Sequence, residues 1–387
     1  MINIVKKTEC NGCHACTNIC PKDCISMEID SEGFWYPKVD LNKCIDCSLC
    51  EKVCPIINAP EREKYEVKGY ACKSNSEGIR KDSSSGGIFT LLMEDIIYQN
   101  GVVFGASFDK NLNLRHTYAE TLEECSQFRG SKYVQSKIGD TYTTAKKFLN
   151  EGRMVLFSGT QCQIKGLNLF LRKEYKNLIT CEIVCHGVPS PKVFRFYKDN
   201  LIKKYKSNIK EVKFRDKTLG WNKFSFVAKF ENGEVYSKPL NEDIYMKGFL
   251  TDLYLRPSCY ECTSKNYTSN SDLTLADYWG VENIHSEFKD DKGTSLVIVN
   301  TIKGENIFKK IKNNMDILET DLDYATSYNP CIVRPVHYNE KREGFFKEVN
   351  EENIENIIYK YTKVQFIEKA KNRVRSVLGK IKRNLFN

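Results

Sequence analysis

The sequence predicts a mixed α/β or α+β chain in two parts, a small cysteine-rich domain followed by a larger α/β domain. Three observations carry that prediction. Cysteines crowd the first sixty residues in a duplicated pattern. A short acidic, proline-containing stretch, APEREKYE (59–66), follows and reads as a linker. Beyond it, apolar runs of strand length alternate with helical periodicity. The 387 residues suit one small and one large domain, and a 41% hydrophobic content is enough for packed cores.

The first copy of the pattern is CNGCHACTNICP, with Cys10, Cys13, Cys16, Cys20 and Pro21. The second is CIDCSLCEKVCP, with Cys44, Cys47, Cys50, Cys54 and Pro55. Each reads C-x2-C-x2-C-x3-C-P, the run of bacterial two-cluster ferredoxins, in which the fourth cysteine serves the other cluster. Cys10, Cys13, Cys16 and Cys54 are therefore expected to hold one 4Fe-4S cluster. Cys44, Cys47, Cys50 and Cys20 are expected to hold the second. Cys24 has no counterpart in the second copy and is expected to pack. Between the copies, ISMEIDSEGFWYPKVD reads as two short strands around a turn at Asp30–Gly33.

The large part opens with VKGYACK (67–73) as a strand, a helix over 86–100 and VVFGASF (102–108) as a strand. A helical stretch near 140–150 precedes RMVLFS (153–158), a buried strand, and GTQCQIKGLNLFL turns from it into a helix. NLITCEIV (177–184) is the next strand, then CHGVPSP and a long helix, 191–206. From 209 to 240 the pattern is strand-like, with a hairpin signal at Asn232–Gly233. LTLADYWG and SLVIVNT read as further strands.

Seventeen cysteines in one chain point to metal binding or catalysis if the compartment is reducing. In RPSCYECTSK, Cys259 and Cys262 have the spacing to grip one metal or one edge of a cluster. Upstream, Cys162 and Cys185 each follow a buried strand at its C-terminal end, where α/β sheets place their ligands. Cys72, Cys125 and Cys181 lie within elements and are expected to pack. Cys162, Cys185, Cys259 and Cys262 then form one four-thiolate site, with zinc and an iron–sulfur cluster both open on spacing alone. SSSGGIFTLL (83–92) is a candidate phosphate cradle, against the alternative of a Ser-rich helix cap without ligand. RGSKYVQS (129–136) carries cations, an amide and a ring that suit a phosphate-bearing cofactor, against an ordinary surface loop.

Taken together and in order, SSSGGIFT, RGSKYVQS, SGTQCQIKGL, CHGVPSP, KFRDKTLGW (213–221), RPSCYEC and SDLTLADYWG (271–280) resemble the beta subunit of coenzyme F420 hydrogenases and dehydrogenases. The resemblance implies an iron–sulfur flavoprotein oxidoreductase in which FAD sits beside a 4Fe-4S cluster and exchanges hydride with a deazaflavin or another small substrate. It implies Cys162, Cys185, Cys259 and Cys262 as ligands of an internal 4Fe-4S cluster, the third in the chain. It also implies Ser84, Ser85, Gly86, Gly87, Lys132, Tyr133 and Gln135 as flavin contacts, with Asp277 and Trp279 near by. His186, beside a proposed ligand, is a candidate for touching the flavin or orienting the cluster; an ordinary loop histidine is the alternative. No residue is assigned a catalytic role. One departure stands out: the family reads G-T-P-C-Q, and Gln161 replaces the proline. Bacterial relatives linked to surface-polysaccharide synthesis leave the substrate open.

The implied architecture is a ferredoxin-like two-cluster domain (1–60), a flavin-binding α/β domain (66–340) and a basic helical tail (341–387). The tail segment KNRVRSVLGKIKRNLF (371–386) has apolar residues at helical spacing, and either covers a core or partner or lies on a membrane surface. The net charge of +9 is a mild bias without a nucleic-acid motif, so nucleic acid is not an expected partner. An electron donor or acceptor protein is. The start lacks a signal-peptide pattern and no apolar run approaches 18 residues, so a cytoplasmic location is expected. The alternative function is a flavin-free electron-relay or scaffold subunit of a larger redox complex.

Overall fold

The structure, a computed structural model, describes residues 1–59 and 65–363. Most of the 59–66 linker and the 371–386 tail lie outside the described residues. The N-terminal module is built on an antiparallel hairpin, β1 (Ile25–Ile29) and β2 (Trp35–Val39), flanked by the short helices Ala15–Ile19 and Leu49–Lys52. The expected turn is there. Asp30 Oδ1 accepts from the amides of Glu32 and Phe34 at 3.0 and 2.9 Å, and Gly33 has φ +92°.

The large part centres on eight strands: β3 (Lys68–Ser74), β4 (Val102–Phe108), β5 (Leu114–Ala119), β6 (Val155–Thr160), β7 (Leu178–Ile183), β11 (Leu273–Asp277), β12 (Ser295–Val299) and β13 (Met315–Thr320). Their order is β13-β3-β12-β11-β7-β6-β4-β5. β4, β6, β7 and β11 are parallel, and the flanking pairs are antiparallel. The burial follows from the sequence. β6 (VLFSGT) and β12 (SLVIV) are apolar on both faces, as strands covered by helices on two sides must be. Alternate residues of β4 and β6 divide between two cores: Val103 and Leu156 face one, Phe104 and Phe157 the other. Helices Ile88–Tyr98 and Ile302–Ile311 close the first face; Thr141–Asn150 and Gln161–Leu171 close the second. Five strands, β3, β4, β6, β7 and β11, point the same way, so their C-terminal ends open on one side of the sheet.

A second, antiparallel sheet of β8 (Ile209–Asp216), β9 (Ser225–Phe230) and β10 (Val235–Pro239) contains the expected hairpin, with Gly233 at φ +89°. It packs with helices Pro191–Tyr205, Ile244–Leu250 and Ile354–Thr362 into an aromatic core that includes Tyr197, Phe214, Phe226 and Tyr245. Residues 341–363, the start of the expected tail, are part of this core through Phe345, Val349, Ile354, Ile357 and Ile358. Among the described residues no helix is long and apolar enough to cross a membrane.

The N-terminal module is seated on the large part. Cys13, Ala15 and Val53 share one apolar cluster with Phe157 and Leu167. The β1–β2 turn is gripped at its tip. Arg342 donates to both carboxylate oxygens of Glu32 at 3.0 and 2.6 Å, Lys192 Nζ to the Ser31 carbonyl at 2.8 Å, and Ser190 Oγ to the Glu32 carbonyl at 2.5 Å. Arg342 is buried, so removing its carboxylate strands a charge. Glu32→Ala is expected to cost roughly 3–5 kcal/mol and to loosen the module. Denaturant unfolding, with limited proteolysis between residues 59 and 66, checks this; a loss within about 0.5 kcal/mol and unchanged cleavage contradict it.

Candidate redox and cofactor site

The duplication visible in the sequence recurs in the backbone. His14 (φ 61°) and Ser48 (φ 57°) occupy equivalent places between the second and third cysteines of each run, both left-handed, and each starts a short helix. The amides of Gly12 and Asp46 donate to the sulfurs of Cys10 and Cys44 at 3.4 Å, again at equivalent positions. Cys10, Cys13, Cys16 and Cys54 lie close enough for their charges to act on one another, on top of a larger effect of burial that raises the thiol pKa of Cys13, Cys16 and Cys54. Cys20, Cys44, Cys47 and Cys50 line one small cavity. Cys24 joins them there, its sulfur 3.3 Å from that of Cys20.

The internal set comes from three places in the fold. Cys162 opens the helix after β6, Cys185 follows β7, and Cys259 and Cys262 sit on the turn that begins at Pro257. These thiols also sense one another. Burial pushes Cys162 up to about 11 and Cys259 up to about 12, with Cys262 adding to both. As bare thiolates they would be costly; bound to iron they would be compensated. Val188 N donates to Cys259 Sγ at 3.4 Å, and Thr160 Oγ1 lies 3.3 Å from Cys162 Sγ. Lys265 Nζ donates to the Cys185 carbonyl and, at 3.3 Å, to Oε1 of Gln161. Lys165 Nζ donates to the Thr263 carbonyl at 3.2 Å. Among the described residues no three His, Cys, Asp or Glu side chains converge as a single ion requires. Each thiolate of a 4Fe-4S cluster binds a different iron.

Little separates the two regions. A Cβ on Gly166, one turn beyond Cys162, would lie 3.0 Å from Cys13 Sγ and 3.2 Å from the Tyr142 hydroxyl. Arg256, three residues before Cys259, is fully buried. It donates to the Cys10 carbonyl (2.7 Å), the Trp35 carbonyl (2.9 Å) and Gln135 Oε1 (3.2 Å), with its guanidinium 4.3 Å from the Tyr36 ring centre.

A cavity of about 740 Å³ opens at the C-terminal ends of the co-directional strands, within the range of small-molecule sites. Ser84, Ser85, Gly87, Lys132, Tyr133, Asp277 and Trp279 line it, as do Cys185 and His186. Gly86 and Gln135 do not. The Gly86 amide is bound to Ser295 Oγ at 3.0 Å, and a Cβ there would meet the Cys72 carbonyl at 2.4 Å. Gln135 faces the N-terminal module, donating to the Asn11 carbonyl at 3.2 Å. The two phosphate-type loops meet, with Ser131 N and Oγ donating to Ser84 Oγ at 2.7 and 3.0 Å. Lys132 Nζ is held by the carbonyls of Phe128, Arg129 and Gly130, and burial pulls its ammonium down to about 7. An anion there would restore its charge.

Across the cavity, Arg215 of β8 pairs with Asp277 of β11. Trp221 stacks on Trp279 at 4.5 Å and 13°. Arg215 Nε and Nη2, Asp277 Oδ1 and Trp221 Nε1 are buried without a hydrogen-bond partner. Orphaned donors, an orphaned acceptor, the Trp279 ring on the wall and a half-buried cation fit a planar, phosphate-bearing cofactor such as FAD. Arg215 lies in KFRDKTLGW but carries no signal of its own there, and a buried arginine opposite the aspartate of LTLADYWG emerges only when β8 and β11 are brought together. His186 also makes contacts that its loop does not announce: Nε2 lies 2.5 Å from Asp252 Oδ1, and Nδ1 3.4 Å from Cys331 Sγ.

His116, on the cavity wall, is fully buried with Nε2 3.1 Å from the Ser158 carbonyl and Nδ1 3.0 Å from Ser136 Oγ. Burial lowers its pKa to about 4. The folded value is thus below the unfolded value of about 6.5, and the neutral ring contributes stability above about pH 6.5 that is lost as pH falls toward 4. Wild type should lose roughly 3 kcal/mol more than His116→Gln between pH 7 and pH 4. Urea unfolding of both proteins across that window checks it; parallel pH profiles contradict it.

The family model for the C terminus of the beta subunit of "Coenzyme F420 hydrogenase/dehydrogenase" matches residues 152–324, and a 4Fe-4S dicluster domain matches residues 9–57. Among curated proteins, "NADH-quinone oxidoreductase subunit I 2" of Geobacter metallireducens is 30% identical over 69 residues, which is 16% of this chain and 53% of that protein. "Ferredoxin 7Fe" of Hydrogenibacillus schlegelii is 43% identical over 42 residues, 11% of this chain and 47% of the relative. The chain thus spans about half the length of these two relatives. A protein encoded in the rpl9-rpl11 intergenic region of Porphyra purpurea is 35% identical over 60 residues, 14% of this chain and 76% of its own length. Among solved structures, a chain of the F420-reducing NiFe hydrogenase complex from Methanosarcina barkeri is similar at a TM-score of 0.46 and 18% identity, over 79% of this chain and 94% of its own.

Proposed function

We propose that this chain, which carries the C-terminal domain of a coenzyme F420 hydrogenase/dehydrogenase beta subunit over residues 152–324 and a 4Fe-4S dicluster domain over residues 9–57, is an iron–sulfur flavoprotein oxidoreductase. It passes electrons between ferredoxin-type clusters and an FAD site that exchanges hydride with a deazaflavin or another small substrate. The observation that carries this reading is the double role of Cys185. It belongs to the internal four-thiol set and also lines the large cavity. A cluster held by the first and a cofactor held in the second would both lie against Cys185.

FAD, when bound, couples hydride exchange to one-electron exchange. The chain's own residues supply the rest. Lys132 with Ser84, Ser85 and Gly87 suits phosphate, Trp279 backed by Trp221 suits a flat ring, and Arg215 with Asp277 offers donors and an acceptor to a ring edge. Cys47 is exposed and Cys44 half-buried. That side of the N-terminal module is where a partner protein delivering or taking single electrons would approach.

Three clusters require roughly twelve irons and twelve sulfides per chain. Anaerobic purification should give that stoichiometry, and acid precipitation should release a yellow flavin at about one per chain. Cys259→Ser should lower the iron count to about eight and leave two ferredoxin-type EPR signals. Zinc at the internal site in place of iron contradicts the third cluster. A three-cluster protein without flavin makes the chain a relay subunit instead.

A further inference from the structure

Five cysteines lie outside the twelve proposed cluster ligands, and one of them is unlike the rest. Cys72, Cys125 and Cys181 are buried within the fold, and burial raises the pKa of each thiol. Cys24 packs beside Cys20. Cys331 instead lies on the wall of the large cavity, half-buried, on the turn Pro330–Ile332. Its sulfur is 3.4 Å from His186 Nδ1, and His186 Nε2 is 2.5 Å from Asp252 Oδ1. The imidazole thus joins a thiol to a carboxylate. Because the two sit on different ring nitrogens, the three groups do not converge where a metal ion could bind.

Each member is held from outside the set. The Phe249 ring meets His186 edge-on at 5.2 Å, and the Asp252 carbonyl accepts from the Tyr260 hydroxyl at 2.5 Å. Ile332, next to Cys331, is buried, and Asn329 Nδ2 donates to the Asp277 carbonyl at 3.3 Å. That bond ties the cysteine's turn to the wall where Arg215, with a side chain 2% exposed, and Asp277 keep polar atoms without partners. Leu250, which follows Phe249 on the lining, is exposed, so small molecules can enter beside the imidazole. With one ring proton, Nε2 donates to Asp252 and Nδ1 accepts from the thiol; with two, Nδ1 donates to the thiolate. Either way the sulfur has a fixed polar partner, and that partner has a third group to orient it, the arrangement that activates a thiol. Burial alone would raise the Cys331 thiol, but the hydrogen bond to His186, with Lys265 also near, outweighs it and the opposing Asp252, and the pKa falls below the ordinary value.

We propose that Cys331 is the nucleophile of the cavity, oriented by His186 and Asp252, and that it bonds covalently to a small molecule whose electrophilic carbon is conjugated to a carbonyl. Such a molecule offers a soft carbon to the polarizable sulfur and an oxygen to the orphaned N–H donors of the same wall. In the addition a bond forms between Sγ and the β carbon, the carbon–carbon π bond opens, and the thiol's proton ends on the α carbon. Nothing is oxidised or reduced. The covalent site is additional to the proposed flavin and clusters and stands or falls separately from them.

The test is alkylation of the full-length, anaerobically purified protein, with iron counted before and after and the labelled positions read by peptide mass spectrometry. Iodoacetamide measures nucleophilicity: the Sγ–C bond forms, the C–I bond breaks and iodide leaves. The compound 2-cyclohexenone serves as the conjugated carbonyl. Cys331 is expected to take one label from either probe, and to react with iodoacetamide roughly tenfold faster than free glutathione at neutral pH. Cys331→Ser should remove that label. Asp252→Asn and His186→Gln should bring the rate down to that of glutathione or below, with the iron count unchanged. Loosened packing would expose the sulfur and speed its alkylation, so a fall in rate separates activation from a structural role. A Cys331 that reacts no faster than glutathione, or labelling that falls first on Cys72, Cys125 or Cys181, overturns the proposal. Reaction with iodoacetamide but not with cyclohexenone overturns the class of ligand. An unchanged rate in both partner variants overturns the role of the imidazole and the carboxylate. If His186→Gln loses iron, Asp252→Asn decides. Labelling of Cys162, Cys185, Cys259 and Cys262 in the wild type counts against the internal cluster and leaves the rate at Cys331 to decide this proposal.

Discussion

The structure depends on one buried guanidinium. Arg256 belongs to the turn that carries Cys259 and Cys262, yet two of its three hydrogen bonds reach the N-terminal module, at the Cys10 and Trp35 carbonyls. The third goes to Gln135, whose amide in turn reaches Asn11. A buried arginine is stable only if its donors are met and its charge is compensated. Here neutral oxygens and the faces of Tyr36 and Phe34 meet it. Cluster thiolates on two sides would supply the negative charge. The guanidinium thus ties the docking of the module to the chemistry of the metal sites.

What the sequence made legible is what fixed spacing encodes. The duplicated C-x2-C-x2-C-x3-C-P run determines which thiols can gather, because so short a loop has few ways to aim them. Strands such as VLFSGT and SLVIV were readable because both faces are buried and each carries a continuous apolar stretch, VLF in one and LVIV in the other. β5 (LRHTYA) escaped because it is an edge strand with an exposed residue on each face, Arg115 on one and Tyr118 on the other, so no apolar run marks it. Helix Ile354–Thr362 falls inside the stretch read as a basic helical tail, but its own apolar stripe was not singled out from the basic residues beyond it. The distribution of function within RGSKYVQS was not legible at all. Lys132 and Tyr133 line the cavity and Gln135 turns to the module. Nothing in a loop sequence announces that neighbours will serve different partners.

Arg215 and Asp277 show the same limit from another side. Each lies in a segment that resembles the family, but their pairing joins two sheets that periodicity could not place relative to each other. The pair leaves one carboxylate oxygen and two guanidinium nitrogens unsatisfied. Buried polar groups without partners are rare in a finished fold, so these atoms describe the outline of whatever completes the cavity better than the lining of apolar residues does.

The close approach at Gly12 and Gly166 bears on rates as well as packing. Gly12 has φ +65°, and a Cβ there would lie 2.9 Å from Arg256 Nη1, while one on Gly166 would press against Cys13. Two surfaces fitted this tightly leave the N-terminal module no room to swing. In the proposed reading, transfer inside the chain is then a first-order event whose distance is set once, at folding, and which neither protein concentration nor ionic strength can tune. Only exchange with an outside carrier stays second order, so any control over how fast the chain turns over would have to act at its exposed end or at its substrate.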